Sequence, residues 1–204
     1  MTEKFISDSI KYIGVDDPDL TLFESQYVLE NGMAYNSYLI DDDEIAVMDA
    51  VDARKIDEWM DNVNRELAGR KPSYLVVLHV EPDHSAGVKK FLETYPEAKV
   101  VGNAKTFTFL SQFFSDFNFN DRKVVVKDAD TLKLGKHTLT FLTAPMVHWP
   151  ETMWHTNLPI RCCSVPTLSV SLACMMPTRT TGLARRAATI STLWENMAHR
   201  CKFC

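Results

Sequence analysis

The stretch His79-Val80-Glu81-Pro82-Asp83-His84 puts two imidazoles and two carboxylates within six positions, directly after the apolar run Tyr74–Leu78. Imidazole nitrogen and carboxylate oxygen are ligands of first-row transition metals. In an extended segment, alternation at i, i+2 and i+4 points His79, Glu81 and Asp83 the same way. Any one of these residues alone would read as an ordinary polar loop residue; together they read as half of a metal site. Pro82 fixes its own backbone angle and restricts Glu81 towards extended geometry, which lowers the entropy cost of presenting ligands. Far along the chain, His148 in Ala144-Pro145-Met146-Val147-His148-Trp149-Pro150 is a second histidine at the end of an apolar strand, and a further ligand candidate. His137, in the turn Gly135-Lys136-His137, is read as structural, and Asp49 as a strand-end carboxylate in a turn or supporting the site.

The elements that must position these groups follow from hydrophobic periodicity. Tyr74–Leu78 reads as a strand buried on both faces, whose end is a natural place for chemistry. Short runs at Tyr27–Leu29, Ala34–Ile40 and Ile45–Met48, separated by Glu30-Asn31-Gly32 and the acidic turn Asp41–Glu44, predict a strand meander. Ile56, Trp59, Met60, Val63 and Leu67 recur at helical spacing, which predicts a helix over Asp52–Leu67 ended by Gly69, with Trp59 in the core. Ser85-Ala86-Gly87 is expected to lead into a second helix through Leu92, followed by a strand at Lys99–Val101 and a helix at Ala104–Phe114. Strands follow at Val124–Val126, Thr131–Leu134 and Thr138–Leu142. The aromatics Phe107, Phe109, Phe113, Phe114, Phe117 and Phe119 read as core. Alternating strands and helices predict an α/β domain with a mixed sheet covered by helices.

At 204 residues, with 46% hydrophobic and 24% charged residues, the composition is that of an ordinary globular protein. No basic segment followed by an apolar core opens the chain, and no run approaches the roughly 18 apolar residues of a membrane span. No membrane or nucleic-acid partner is expected, and the default compartment is cytoplasmic. The averages hide a seam. Every acidic residue except Glu195 lies at or before Glu151, whereas all five cysteines lie at or after Cys162. A formal charge of −5 therefore sums an acidic body and a basic tail.

From about Ile10 to Met153 the chain resembles the flavodiiron proteins, whose catalytic domain has the metallo-β-lactamase fold, an αββα sandwich. His79-x-Glu81-x-Asp83-His84 carries the resemblance, supported by Ala144–Pro150. The wider superfamily shows H-x-H-x-D-H and binds zinc for hydrolysis; here Glu81 replaces a nitrogen donor with a hard oxygen donor that suits iron. The resemblance implies that His79, Glu81 and His148 hold one iron and Asp83 the other, with His84 beside them. It further implies reduction of dioxygen to water or of nitric oxide to nitrous oxide at two irons. Electrons would come from FMN in a following flavodoxin-like domain, supplied by the partner of a head-to-tail homodimer and recharged by a rubredoxin-like protein or a flavin reductase. The alternatives weighed against it are a zinc-dependent hydrolase of the same fold and the inert product of a damaged gene.

After Met153 the family pattern stops: the expected bridging aspartate, a further histidine and the flavodoxin-like domain are not encoded in the frame as written. The genetic code accounts for the seam. Reading each later codon from its third base, Met153/Trp154 gives valine, Trp154/His155 gives alanine, and Cys162/Cys163 gives leucine whatever the codons. Met175/Met176/Pro177 gives Asp-Ala, and Trp194 to Ala198 gives G-[KE]-[YH]-G. With permitted codons the segment reads VAYEPTDKVLFSPDAFG, which resembles the family's continuation and contains the expected aspartate. Loss of one G after the Met153 codon would produce the observed residues. The expectation is therefore a diiron domain over residues 1–153, incomplete in its sandwich, and a frame-shifted tail over 154–204 without a fold of its own. The flavodoxin-like domain is expected to be absent and the chain as written inactive. Neither His155, His199 nor the tail cysteines are given roles.

Overall fold

The computed structural model describes residues 5–23, 25, 27–158, 162–164 and 173–174. The chain opens with eight short strands, β1 (Phe5–Ser7), β2 (Ile10–Tyr12), β3 (Val15–Asp17), β4 (Leu22–Phe23), β5 (Tyr27–Val28), β6 (Met33–Tyr35), β7 (Tyr38–Ile40) and β8 (Ala46–Met48). A 3-10 turn at Ala53–Lys55 leads into α1 (Ile56–Leu67), followed by β9 (Tyr74–Val76), α2 (Pro82–Ser85), α3 (Val88–Thr94), β10 (Lys99–Gly102) and α4 (Ala104–Phe113). The last strands are β11 (Lys123–Val125), β12 (Thr131–Lys133), β13 (Thr138–Thr143), β14 (Met153–Leu158), β15 (Cys162–Ser164) and β16 (Ala173–Cys174).

Two sheets carry the fold. The first runs β1-β2-β7-β8-β9-β10-β11, antiparallel up to β8 and parallel from β8 onwards. The second runs β12-β13-β14-β15-β16 and is antiparallel throughout. Alternation along the central strands divides the interior. Val47, Leu75, Val77 and Val100 pack in one cluster with Trp59, Val63, Phe91, Leu92 and Leu110 of the helices, whereas Ala46, Met48, Val76 and Leu78 pack in another with Leu139, Phe141 and Met153 of the second sheet. The layers are thus helix, sheet, sheet. Among the described residues no helix covers the outer face of the second sheet, so the αββα sandwich is described in three of its four layers.

The expected elements are present, with the following differences. Ala34–Ile40 is not one strand: Asn36-Ser37 interrupts it, because the Ser37 hydroxyl donates to the Asp49 carbonyl at 2.9 Å and accepts from the Trp59 indole at 3.0 Å. The helix that Ser85-Ala86-Gly87 leads into begins at Val88, directly after Gly87, and runs on to Thr94 rather than ending at Leu92; Gly87 sits so close to Trp59 that an added Cβ would lie 2.8 Å from the indole. The four strands up to Phe23 went unread, being only two or three residues each. Helix α1 ends as expected, with Ala68 and Gly69 both at positive φ. Trp59, Phe107 and Phe119 are buried and Phe109, Phe114 and Phe117 pack against them, but Phe113 is exposed on the solvent side of α4. Among the described residues no helix is long and apolar enough to cross a membrane.

His137 is structural, though not in the exposed turn that the sequence implies. It is buried, with Nδ1 paired to Asn157 Oδ1 and Nε2 to Ser9 Oγ, each at 2.9 Å. Its turn is fastened to the first sheet by Asp42, whose carboxylate accepts the amides of Lys136 at 3.1 Å and His137 at 2.6 Å.

Candidate metal centre

Strand β9 delivers the site. Asp49, at the end of β8, accepts the Leu78 amide at 2.7 Å and so fixes the backbone immediately before His79. The Asp49 carboxyl is buried, and burial pushes it up to about 7. The chain is extended at Glu81, with φ −54° and ψ 142°, and Pro82 then starts α2. The expectation of one extended ligand segment through Asp83 is corrected here. Proline is favoured at the first helical position, where its missing amide costs nothing, so Asp83 and His84 lie on a helical turn.

The structure brings His79, Glu81 and His148 together. One ligand atom from each lies within 4.8 Å of the others. Glu81 Oε2 is 3.0 Å from His79 Nε2 and 3.2 Å from His148 Nε2. His79 is wholly buried, Glu81 nearly so, and His148 reaches the surface with 42% of its side chain accessible. The His148 loop also supplies Trp149, which meets the His79 ring edge-on at 5.3 Å between centroids.

Asp83 and His84 form an adjoining pair outside that group of three, with Asp83 Oδ2 3.7 Å from His84 Nε2 and the His84 ring 5.4 Å from that of His79. Burial, reinforced by the Glu81 charge, pushes the Asp83 carboxyl up to about 7. Burial also pulls His84 down to about 3, so its imidazole is neutral and available as a donor. Asp83 Oδ1 and His84 Nδ1 are buried without a hydrogen-bond partner among the described residues.

One residue of the site escaped sequence reasoning. Glu151, buried at the end of the His148 loop, takes His79 Nδ1 at 2.7 Å and the Val80 amide at 3.1 Å on one oxygen. Burial would lower the His79 ring, but its hydrogen bonds to Glu151 and Glu81 outweigh this and raise it to about 9. Burial likewise would raise Glu151, and the His79 and Val80 hydrogen bonds hold it below its usual range. The only signal in the sequence was an acid three positions after His148.

The donor set fits a hard or borderline metal cation. His79 Nε2 and His148 Nε2 share one carboxylate oxygen of Glu81, and two further buried donor atoms beside them have no protein partner among the described residues. A cation among the three would take the place of the proton on His79 Nε2 and be balanced by Glu81.

The profile of the ODP family beta lactamase matches residues 33–156. A nitric oxide reductase of Moorella thermoacetica is 34% identical over 150 residues, covering 73% of this chain and 37% of that protein. Diflavin flavoprotein A 1 of Synechocystis sp. is 36% identical over 149 residues, covering 72% of this chain and 26% of that protein. Among solved structures, the flavodiiron protein from Giardia intestinalis superposes with a TM-score of 0.69 at 28% identity, over 74% of this chain and 36% of that one. The rubredoxin oxygen:oxidoreductase of Desulfovibrio gigas gives 0.70 at 28% identity, over 74% and 37%. The chain therefore spans well under half the length of these relatives. It belongs to the ODP beta-lactamase family, and the relatives it resembles over this span include flavodiiron proteins.

Proposed function

We propose that the chain is the metal-binding module of a flavodiiron oxidoreductase that reduces dioxygen to water or nitric oxide to nitrous oxide. The carrying observation is the convergence of His79, Glu81 and His148, with a carboxylate where a zinc hydrolase of this fold has a third nitrogen donor. His79, Glu81 and His148 would hold one iron; Asp83, with His84 next to it, would serve the second. A bound iron pair supplies the electron transfers to two substrate atoms that no protein side chain can perform. The chain's own residues supply the rest. Glu81 offers charge and a hard oxygen, Trp149 packs edge-on against the His79 ring, and His148 is the most exposed of the three.

Electrons would arrive from FMN on a flavodoxin-like domain, delivered across a head-to-tail homodimer and recharged by a rubredoxin-like or flavin-reductase donor in the cytoplasm. Residues 1–153 form the diiron domain in this reading, and residues 154–204 are out of frame. Two facts support the seam: the codon overlaps forced after Met153, and the buried ring nitrogens of Trp154 and His155 on β14, which lack partners among the described residues. The bridging aspartate expected by resemblance exists only in the restored frame, so the chain as written is expected to bind iron weakly and turn over neither gas.

The test is anaerobic reconstitution with Fe(II), followed by metal analysis of the parent and of His79→Ala. Iron bound weakly but measurably by the parent, and at least about 10-fold more weakly by the variant, is expected, since a ligand removed costs more than a supporting group. Equal retention in both would sink the assignment.

A further inference from the structure

We propose that Glu151 is the positioning residue of this centre, holding the His79 ring so that Nδ1–H faces Glu151 and Nε2 faces Glu81 and His148. This rests on the metal reading of the site given above. A metal-bound histidine needs its second nitrogen fixed, because the ring can otherwise rotate or present the wrong tautomer, and a buried carboxylate is the strongest such anchor. Here His79 Nδ1 and the Val80 amide converge on one oxygen of Glu151, at 2.7 and 3.1 Å. The ring and the backbone that follows it are thus fastened to the same atom.

Glu151 is itself held. Its carbonyl accepts the Asn103 side-chain amide at 2.6 Å, and Asn103 uses its other end to cap α4, accepting the amides of Lys105 and Thr106 at 2.9 and 3.0 Å. Helix α4 is thereby linked through Asn103 and Glu151 to His79. The flanking Met153 amide donates to the Leu78 carbonyl at 2.9 Å, tying the same loop to the strand that carries His79. Glu151 touches no open side of the site, being 1% accessible, so its role is to orient a ligand rather than to meet substrate.

The experiment titrates the full chain with Mn(II), read by the EPR signal of the free ion, in the parent, Glu151→Gln and Glu151→Ala. Mn(II) prefers oxygen and imidazole donors, which keeps the tail thiols out of the measurement. Loss of a group that orients a metal-bound histidine weakens affinity by about 10- to 100-fold; about 10-fold is expected for Gln, which retains one acceptor for Val80, and about 100-fold for Ala. Proton NMR of the metal-free parent should show a strongly downfield imidazole N–H that moves upfield in Glu151→Gln while the melting curve stays close to that of the parent. If Glu151→Ala fails to fold, Glu151→Gln alone decides the matter. Parental affinity in a folded Gln variant, with an unmoved N–H signal, overturns the role of Glu151 and leaves the metal site standing. A parent that binds no Mn(II) overturns the metal reading, and this role with it.

Discussion

Two buried histidines, His79 before Met153 and His155 after it, differ in how their ring nitrogens are partnered. His79 is wholly buried and both ring nitrogens are partnered, one by Glu151 and one by Glu81. His155, on β14, is nearly as deeply buried, and neither ring nitrogen has a partner among the described residues. Register places His155 opposite Phe141 and Asn157 opposite Leu139, in line with residues that face the core between the sheets. Trp154 Nε1 and Asn157 Nδ2 are orphaned as well among the described residues. Strands β13 and β14 pair through their backbones over six residues, while these side-chain atoms are buried without a partner among the described residues and Asn157 Oδ1 meets His137 Nδ1 at 2.9 Å. Strand pairing needs only amides and carbonyls, whereas a buried polar side chain needs a specific partner. The orphans around Asp83 and His84 differ, because they cluster beside the ligand group, where a cation could satisfy them.

The largest expected effect tests the body. Trp59→Ala removes a wholly buried indole and its bond to Ser37, at a cost of about 3–5 kcal/mol in urea unfolding. A cost below about 1 kcal/mol would mean that the core before Met153 is no better packed than the strand after it.

Replacing His155 should do the opposite. His155→Leu exchanges a buried imidazole that has no partner among the described residues for an apolar side chain and should raise stability by about 1–3 kcal/mol. Burial pulls His155 down to about 4 from its ordinary 6.5. The native state therefore binds fewer protons than the unfolded one, and stability is lost as pH falls from about 6.5 towards 4. That part of the acid sensitivity should vanish in His155→Leu; a variant less stable than the parent would break the contrast.

A smaller effect is expected at the join between the sheets. Asp42→Ala deletes the carboxylate that accepts the Lys136 and His137 amides and should cost about 1–2 kcal/mol at pH 7. Burial would raise Asp42, but the amides of His137, Lys136 and Asp43 outweigh it and hold it below its ordinary 3.8. The contribution is present above that value and lost as pH falls through the lowered one, so parent and variant should converge in acid.

Much of this was legible in the sequence because local chemistry and periodicity agreed. The spacing of Trp59, Met60, Val63 and Leu67 gave α1, and the strand-end cluster gave His79 and Glu81. Where one residue does two jobs the reading failed. Ser37 breaks a continuous apolar run to bond Asp49 and Trp59, and Pro82, read as holding an extended segment, begins a helical turn. Glu151 was invisible because its meaning lies in contact with His79, a relation that no local pattern carries. Buried His137 was misplaced for the same reason, its partners Ser9 and Asn157 lying far away in sequence.

The most direct measurement compares the chain as written with one in which a single G is restored after the Met153 codon. Both would be reconstituted with Fe(II) and assayed for iron content and resistance to urea. Two irons per chain and higher stability are predicted for the restored frame, with less iron and an earlier unfolding midpoint for the chain as written. Equal iron and equal stability would contradict a shifted frame, and would make the sequence after Met153 a working part of this protein.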